Sequence, residues 1–315
     1  MLISSYQFNL SAMSIPATDT DLHVFHARLA RYNIGRIAPA MPSDDWAQQE
    51  RTALAWRLEE GRYLEALRKR IAPMLSGYAG SADHFVDWFS GLAQWGPGQG
   101  DPLFDYLAEE APMAHMRWFL TQEAAGEAGF DDLVAYTQVK LPVQAKLECA
   151  RNFWDEMGHG KLGAMHGVML ERMVDGLGLA PSIGTTVWQS LALGNAMLGM
   201  ALNRRYAYHS LGALGVVELT APGRVAKVAQ GMRRLGLDAK MRAYFDLHAA
   251  LDVSHSRCWN REILYSLVDA DPTCARFLAE GALMRLYCGQ RCFVRYRDEL
   301  GIGSLSTRLA LEEQV

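Results

Sequence analysis

His248, Asp252 and His255 stand four and three residues apart within the stretch Leu247–His255. At 3.6 residues per turn, this spacing puts two imidazoles and a carboxylate on one stripe of a helix. Their neighbours Phe245, Leu247, Leu251 and Val253 are apolar, so the stripe is expected to face inward. Two neutral imidazoles and a carboxylate on a dry face suit Fe(II) and related transition metals. A hydrogen-bonded core network is the alternative, and the triple alone does not separate the two.

Other acids and histidines extend the pattern. Glu218 follows seven uncharged residues, Leu211–Val217. An ionised carboxylate buried there needs a cation or hydrogen bonds to compensate it; otherwise it must point to the surface at a helix end. Gly212 and Gly215 are poor helix formers and suit the close approach of another helix or a substrate. Glu156 and His159 have the Glu-x-x-His spacing used when inward Glu, Asp and His from several helices hold a metal pair in a bundle. His166 is ten residues from Glu156, roughly 15 Å along a straight helix. Glu156 and His166 can share a site only if the chain breaks between them, and Gly158 and Gly160 permit such a break. Glu123, in Phe119–Ala125, is a further candidate.

The elements that must position these groups read as helices throughout. There is no sustained alternation of apolar and polar residues and no Asn-Gly or Asp-Gly hairpin signal. Helical periodicity, punctuated by Gly, Pro and Asp, predicts a first helix ending near Gly35 and a second from Pro42-Ser43-Asp44-Asp45 towards Leu75. Others are predicted at 81–94, at 102–126 with a kink near Pro112, at 131–138, at 142–158 and on to Gly176. The next runs from Pro181 to Tyr208, followed by one at 212–220 stopped by Pro222-Gly223, then 225–235, 238–269 and 271–297. The fold class is all-α. An N-terminal helical portion, residues 1–100, is expected to pack on a bundle formed by residues 101–300, with the Gly- and Pro-rich Trp95–Pro102 segment between them and a loose tail at 301–315.

Bulk properties narrow the function. The 315 residues are 50% hydrophobic, enough for a sizeable core. A net charge of -4 without a basic run argues against a nucleic-acid partner. Met1–Pro16 lacks the cationic and apolar regions of a secretory signal, and no stretch approaches 18 uninterrupted apolar residues. The five cysteines are irregularly spaced and make no disulfide framework. Cys288 and Cys292, one helical turn apart, read as small core residues. The expectation is a soluble cytoplasmic protein.

The sequence Asp155-Glu156-Met157-Gly158-His159-Gly160 followed by His166 resembles the signature of the haem-oxygenase-like di-iron oxidases and oxygenases, also called iron-containing redox enzymes. Glu123 upstream, Glu218 downstream and the His248, Asp252, His255 triple extend the resemblance over about residues 115–260. It implies a haem-oxygenase-like bundle that binds no haem and uses two Fe ions with O2 as co-substrate. In the resemblance Glu156, His166, Glu218, His248, Asp252 and His255 are metal ligands, and Glu123 completes the shell of the second iron. The family pattern selects His166, whereas simple helical spacing selects His159. The implied reaction is oxidation of a small amine, amino acid or carboxylic acid, by N-oxygenation or by hydrogen abstraction, in specialised metabolite biosynthesis. An electron donor and a homodimer are the expected partners. Arg204 and Tyr208 are weak candidates for holding a substrate carboxylate, since Arg suits bidentate carboxylate recognition. The competing readings are a cofactorless thiaminase-like or quinone-cofactor-synthesis-like enzyme of the same fold, and a non-catalytic helical protein that binds metal or a partner.

Overall fold

The computed structural model describes residues 18–126 and 129–302. Among these there are helices and no strand. In chain order they are α1 (Asp19–Ile37), α2 (Trp46–Ile71), α3 (Ala82–Trp95), α4 (Pro102–Glu109), α5 (Met113–Gly126), α6 (Phe130–Thr137) and α7 (Val143–Glu156). There follow α8 (His166–Gly176), α9 (Trp188–Leu202), α10 (Ala207–Arg234), α11 (Ala239–Cys258), α12 (Ser266–Ala270) and α13 (Ala275–Leu300). A seven-residue π-helical segment, Trp259–Tyr265, joins α11 to α12. No described helix is long and apolar enough to cross a membrane.

Start signals explain most of these elements. Ser81 caps α3 by accepting from the amide of His84, Asp101 caps α4, and Asp238 caps α11 by accepting from the amides of Lys240 and Met241. The helix expected from Pro181 to Tyr208 spans only Trp188–Leu202, the one expected over 238–269 is interrupted by the π-helical segment, and three further boundaries differ from expectation. The second helix starts at Trp46 because Ser43, Asp45 and Gln49 hydrogen-bond to one another ahead of it. The helix expected over 102–126 is two helices, parted just before Pro112, which has no amide to continue the ladder. The opposite happens in α10, which runs unbroken through Pro222. An internal proline costs about 3 kcal/mol. The burial of Leu211, Leu214, Val216, Val228 and Met232 on this helix outweighs it.

Helix α10 is the centre of the molecule, packed against α4, α9, α11 and α13. Its approach to α13 is close enough that a Cβ at Gly212 would meet the Leu278 carbonyl oxygen at 1.9 Å. In return, a Cβ at Gly281 would meet the His209 carbonyl oxygen at 1.9 Å. Phe85, Phe89 and Leu92 of α3 share one core with Leu211 and Leu214 of α10 and Leu278 and Leu283 of α13. The helices before residue 100 are therefore built into the bundle. Helix α1 lies on α9, and α2 lies on α9 and α13. The tail expected at 301–315 falls outside the described residues from 303 onward.

Candidate metal centre

The chain reverses just after α7. Gly158 has φ +58°, and a Cβ there would come within 2.3 Å of the Ala164 carbonyl carbon. Only glycine fits both constraints. The reversal returns His166, the first residue of α8, to the end of α7. Its Nδ1 lies 2.8 Å from Glu156 Oε2 although the two are ten residues apart. Helices α10 and α11 then add Glu218 and the His-Asp-His stripe from the other side.

Two triads result, with all six residues buried. Glu156, His166 and His248 can bring one ligand atom each within 4.8 Å of one another, and so can Glu218, Asp252 and His255. The stripe on α11 is divided between the two triads. His248 and His255 are seven residues apart, roughly 10 Å along the axis, too far to share one ion. The helix instead carries the stripe past both triads, giving His248 to one and Asp252 and His255 to the other.

Neighbouring groups fix these side chains. The Nδ1–H of His248 donates to the Tyr244 carbonyl at 2.7 Å, leaving Nε2 to face Glu156. The Nε2–H of His255 donates to Asp155 Oδ2 at 3.0 Å, so Nδ1 faces Glu218 Oε2 at 3.4 Å. Asn152 Nδ2 donates to Glu218 Oε1 at 2.7 Å. A hydrogen bond to the second ring nitrogen is the usual way a metal-ligating histidine is oriented. Exposed His159, with φ +53°, points away from the centre and hydrogen-bonds Asp155 at 2.5 Å. The structure thus brings His166 to Glu156 and leaves His159 outside the triads.

The donor set fits a bound cation. Glu156 and Glu218 are 6% and 2% exposed, and neither meets an Arg or Lys among the described residues; their ionic partners are histidines. His166 Nδ1 is buried close to Glu156 without forming a hydrogen bond, as two ligands of one ion would be. Burial alone would lower the pKa of His255, but Glu218 and Asp155, with Asp252 nearby, outweigh it and push it up to about 9. In the metal-free chain this imidazole keeps a proton where the carboxylates call for positive charge.

A small cavity of about 50 Å³ lies between the triads, lined by Glu156, Glu218, His248 and Asp252 together with Glu123. Glu123 belongs to neither triad and accepts a hydrogen bond from Tyr296 at 3.2 Å. A larger cavity of about 410 Å³ shares Glu123, Phe130, Val217, Ala221, Val225 and Phe245 with the small one. Ala30, Asn33, Ile34 and Ile37 of α1 form part of its wall. Arg204 and Tyr208, expected to hold a substrate, line neither cavity. The Arg204 guanidinium donates to the carbonyls of Tyr136, Thr137 and Val139, which tie α6 to the turn before α10. Tyr208 packs against the core around α10 and α13. Asn152, Tyr244 and Tyr296 were not expected, and Asp155 was read only as the first residue of the Asp155–Gly160 motif. Asn152 carried a signal, since it lies four residues before Glu156 on the same helix face.

Comparison with known proteins agrees with this geometry. A family model described as iron-containing redox enzyme matches residues 117–290, more than half of the chain. Two crystal structures of a CADD-like protein of unknown function from Nostoc punctiforme are similar. One has a TM-score of 0.54 at 16% identity, covering 69% of this chain and 95% of that one. The other has a TM-score of 0.51 at 17% identity, covering 77% and 98%. At such identities the likeness is one of fold. No curated protein matches the sequence. The all-α, haem-oxygenase-like architecture expected from the motifs is the one observed.

Proposed function

The chain belongs to the iron-containing redox enzyme family, and on that footing we propose that it is a non-haem di-iron oxygenase or oxidase acting on a small amine, amino acid or carboxylic acid. The observation that carries this reading is the pair of buried triads on either side of one small cavity. Glu156, His166 and His248 would hold one iron, and Glu218, Asp252 and His255 the other. Glu123, which lines the small cavity, would join them. When bound, the irons supply the electrons that reduce O2 and the Lewis acidity that binds it.

The chain's own residues prepare that chemistry. Tyr244 and Asp155 hold His248 and His255 in the tautomers that leave a ring nitrogen for metal. Asn152 fixes one oxygen of Glu218. Leu170, Val217, Val225 and Phe245 wall part of the cavity with apolar surface. The larger cavity beyond Glu123 gives a substrate a place next to the irons. A cofactorless enzyme of the same fold would leave the buried carboxylates of Glu156 and Glu218 with histidines, and no Arg or Lys among the described residues, to compensate them, which counts against that reading.

The test is anaerobic loading with Fe(II), iron analysis, then an O2 pulse on an oxygen electrode. Binding of roughly two irons per chain with iron-dependent O2 uptake is expected. His166→Ala should lose iron and His159→Ala should keep it. A folded wild-type chain that binds no iron would overturn the proposal.

A further inference from the structure

The larger cavity holds a cation for which the metal centre has no use. Its wall is largely apolar, with Ile34, Phe119, Met197 and Leu198 among its residues, and its charged lining side chains are Glu123, Arg224 and Arg285. Glu123 faces the metal centre. Arg224 is engaged: it donates to Thr220 Oγ1 at 3.1 Å and lies over the rings of Phe104 and Phe293. Arg285 differs from both, because its guanidinium makes no hydrogen bond and no ion pair among the described residues. The fold also makes room for it. A Cβ at Gly289 would lie 2.7 Å from Arg285 Nη1, so the side chain runs forward along α13, towards its C-terminal end, over a position kept bare. Arg285 is half-buried, and an unpartnered guanidinium in a largely apolar wall suits a planar anion.

The placement also gives a direction. The guanidinium lies near the level of residue 289, seven residues before Tyr296, whose hydroxyl bonds to Glu123. Seven residues of helix span roughly 10 Å. We infer that Arg285 anchors a carboxylate of the substrate, whose apolar body runs along α13 so that its far end, not its carboxylate end, meets the metal centre. The inference rests on the di-iron reading for the identity of that centre. Among the three substrate classes it selects an apolar monocarboxylate. A free amine would find only Glu123 as a charged partner, at the metal end and already bonded to Tyr296.

The test uses octanoate, octanamide and octylamine as probes, titrated by calorimetry into iron-loaded, oxygen-free protein and again into metal-stripped protein. Octanoate should bind roughly tenfold or more tightly than the other two in both states. Arg285→Gln should erase that preference and Arg285→Lys should retain part of it, with unchanged melting as the check on folding. In the iron-loaded protein the terminal methyl of octanoate should show stronger paramagnetic NMR relaxation than the methylene beside the carboxylate. Equal binding of acid and amide, tightest binding of the amine, an octanoate affinity indifferent to Arg285, or stronger relaxation at the carboxylate end would each overturn the inference. A chain that binds no iron yet keeps the Arg285-dependent preference would break the di-iron reading and leave the anchor standing.

Discussion

Glu218 and Glu280 are both 2% exposed and both lie inside long helices, yet the fold treats them differently. Glu280 is met by Arg68 at 2.7 Å, by Arg276 at 2.9 Å and by His209 at 2.9 Å. Burial would raise its pKa, but those three partners outweigh it and hold it at about 2. Glu218 is met by an amide and an imidazole. A chain that can bring two guanidiniums to one buried acid has left the other for a cation from outside. Burial of an acid is therefore not the mark of a metal site; burial without arginine is.

The parallel substitutions give the largest contrast. Glu218→Gln should lower iron affinity and O2 uptake by orders of magnitude while the metal-free chain loses less stability than the Glu280 variant, since the cost of burying Glu218 offsets much of its attraction to the His255 imidazolium. Glu280→Gln should do the reverse, keeping iron but losing roughly 3 kcal/mol of stability, because partly buried Arg68 and buried His209 are left facing an amide. Calorimetric melting with iron analysis reads both. Comparable melting losses with iron retained in both variants would dissolve the distinction.

Acidity should separate the two regions next. In the metal-free chain His255 has a folded pKa of about 9, above its ordinary 6.5. Its proton stabilises the fold below pH 6.5, and that stabilisation is lost as pH rises through about 9. Iron must displace this proton, so iron affinity should climb about tenfold per pH unit up to about pH 9. Glu280 runs the other way: its folded pKa lies below its ordinary 4.5, so its stabilisation is present above pH 4.5 and lost as pH falls through about 2. Dialysis across pH 5–9, followed by iron analysis and circular dichroism, should show iron leaving while the helices stay intact. Iron retention that does not change over that range counts against the assignment of His255.

Smaller effects sharpen the picture. Asp155→Asn should cost about 10- to 100-fold in metal affinity through the orientation of His255, measured by competition with a chelator. Arg204→Ala should cost about 1 kcal/mol through the lost carbonyl contacts and leave iron content unchanged. A loss of substrate affinity in that variant would restore the role first expected for it.

Much of the centre could be read from spacing. The stripe on α11, the isolation of Glu218 among apolar residues and the glycines around His159 are local signals, and each survives in the structure. What could not be read is tertiary. Whether a stripe serves one ion or two depends on what faces each of its turns. Pro222 looked like a stop because its local cost is visible in sequence, whereas the burial of α10 that offsets it is not. Arg204 beside two tyrosines looked like a pocket edge until its guanidinium proved to be committed to backbone carbonyls. Arg285 gave no signal, since a cavity wall is assembled from helices far apart in the chain.

Helix α1 lies outside the portion matched by the family model and carries none of the candidate ligands, yet Ala30, Asn33, Ile34 and Ile37 wall the larger cavity. Selection acting on those four positions can reshape what the cavity admits without disturbing any group that touches metal. Substrate choice can thus be tuned from a helix that precedes the family-matched bundle, apart from the groups that would hold the metal.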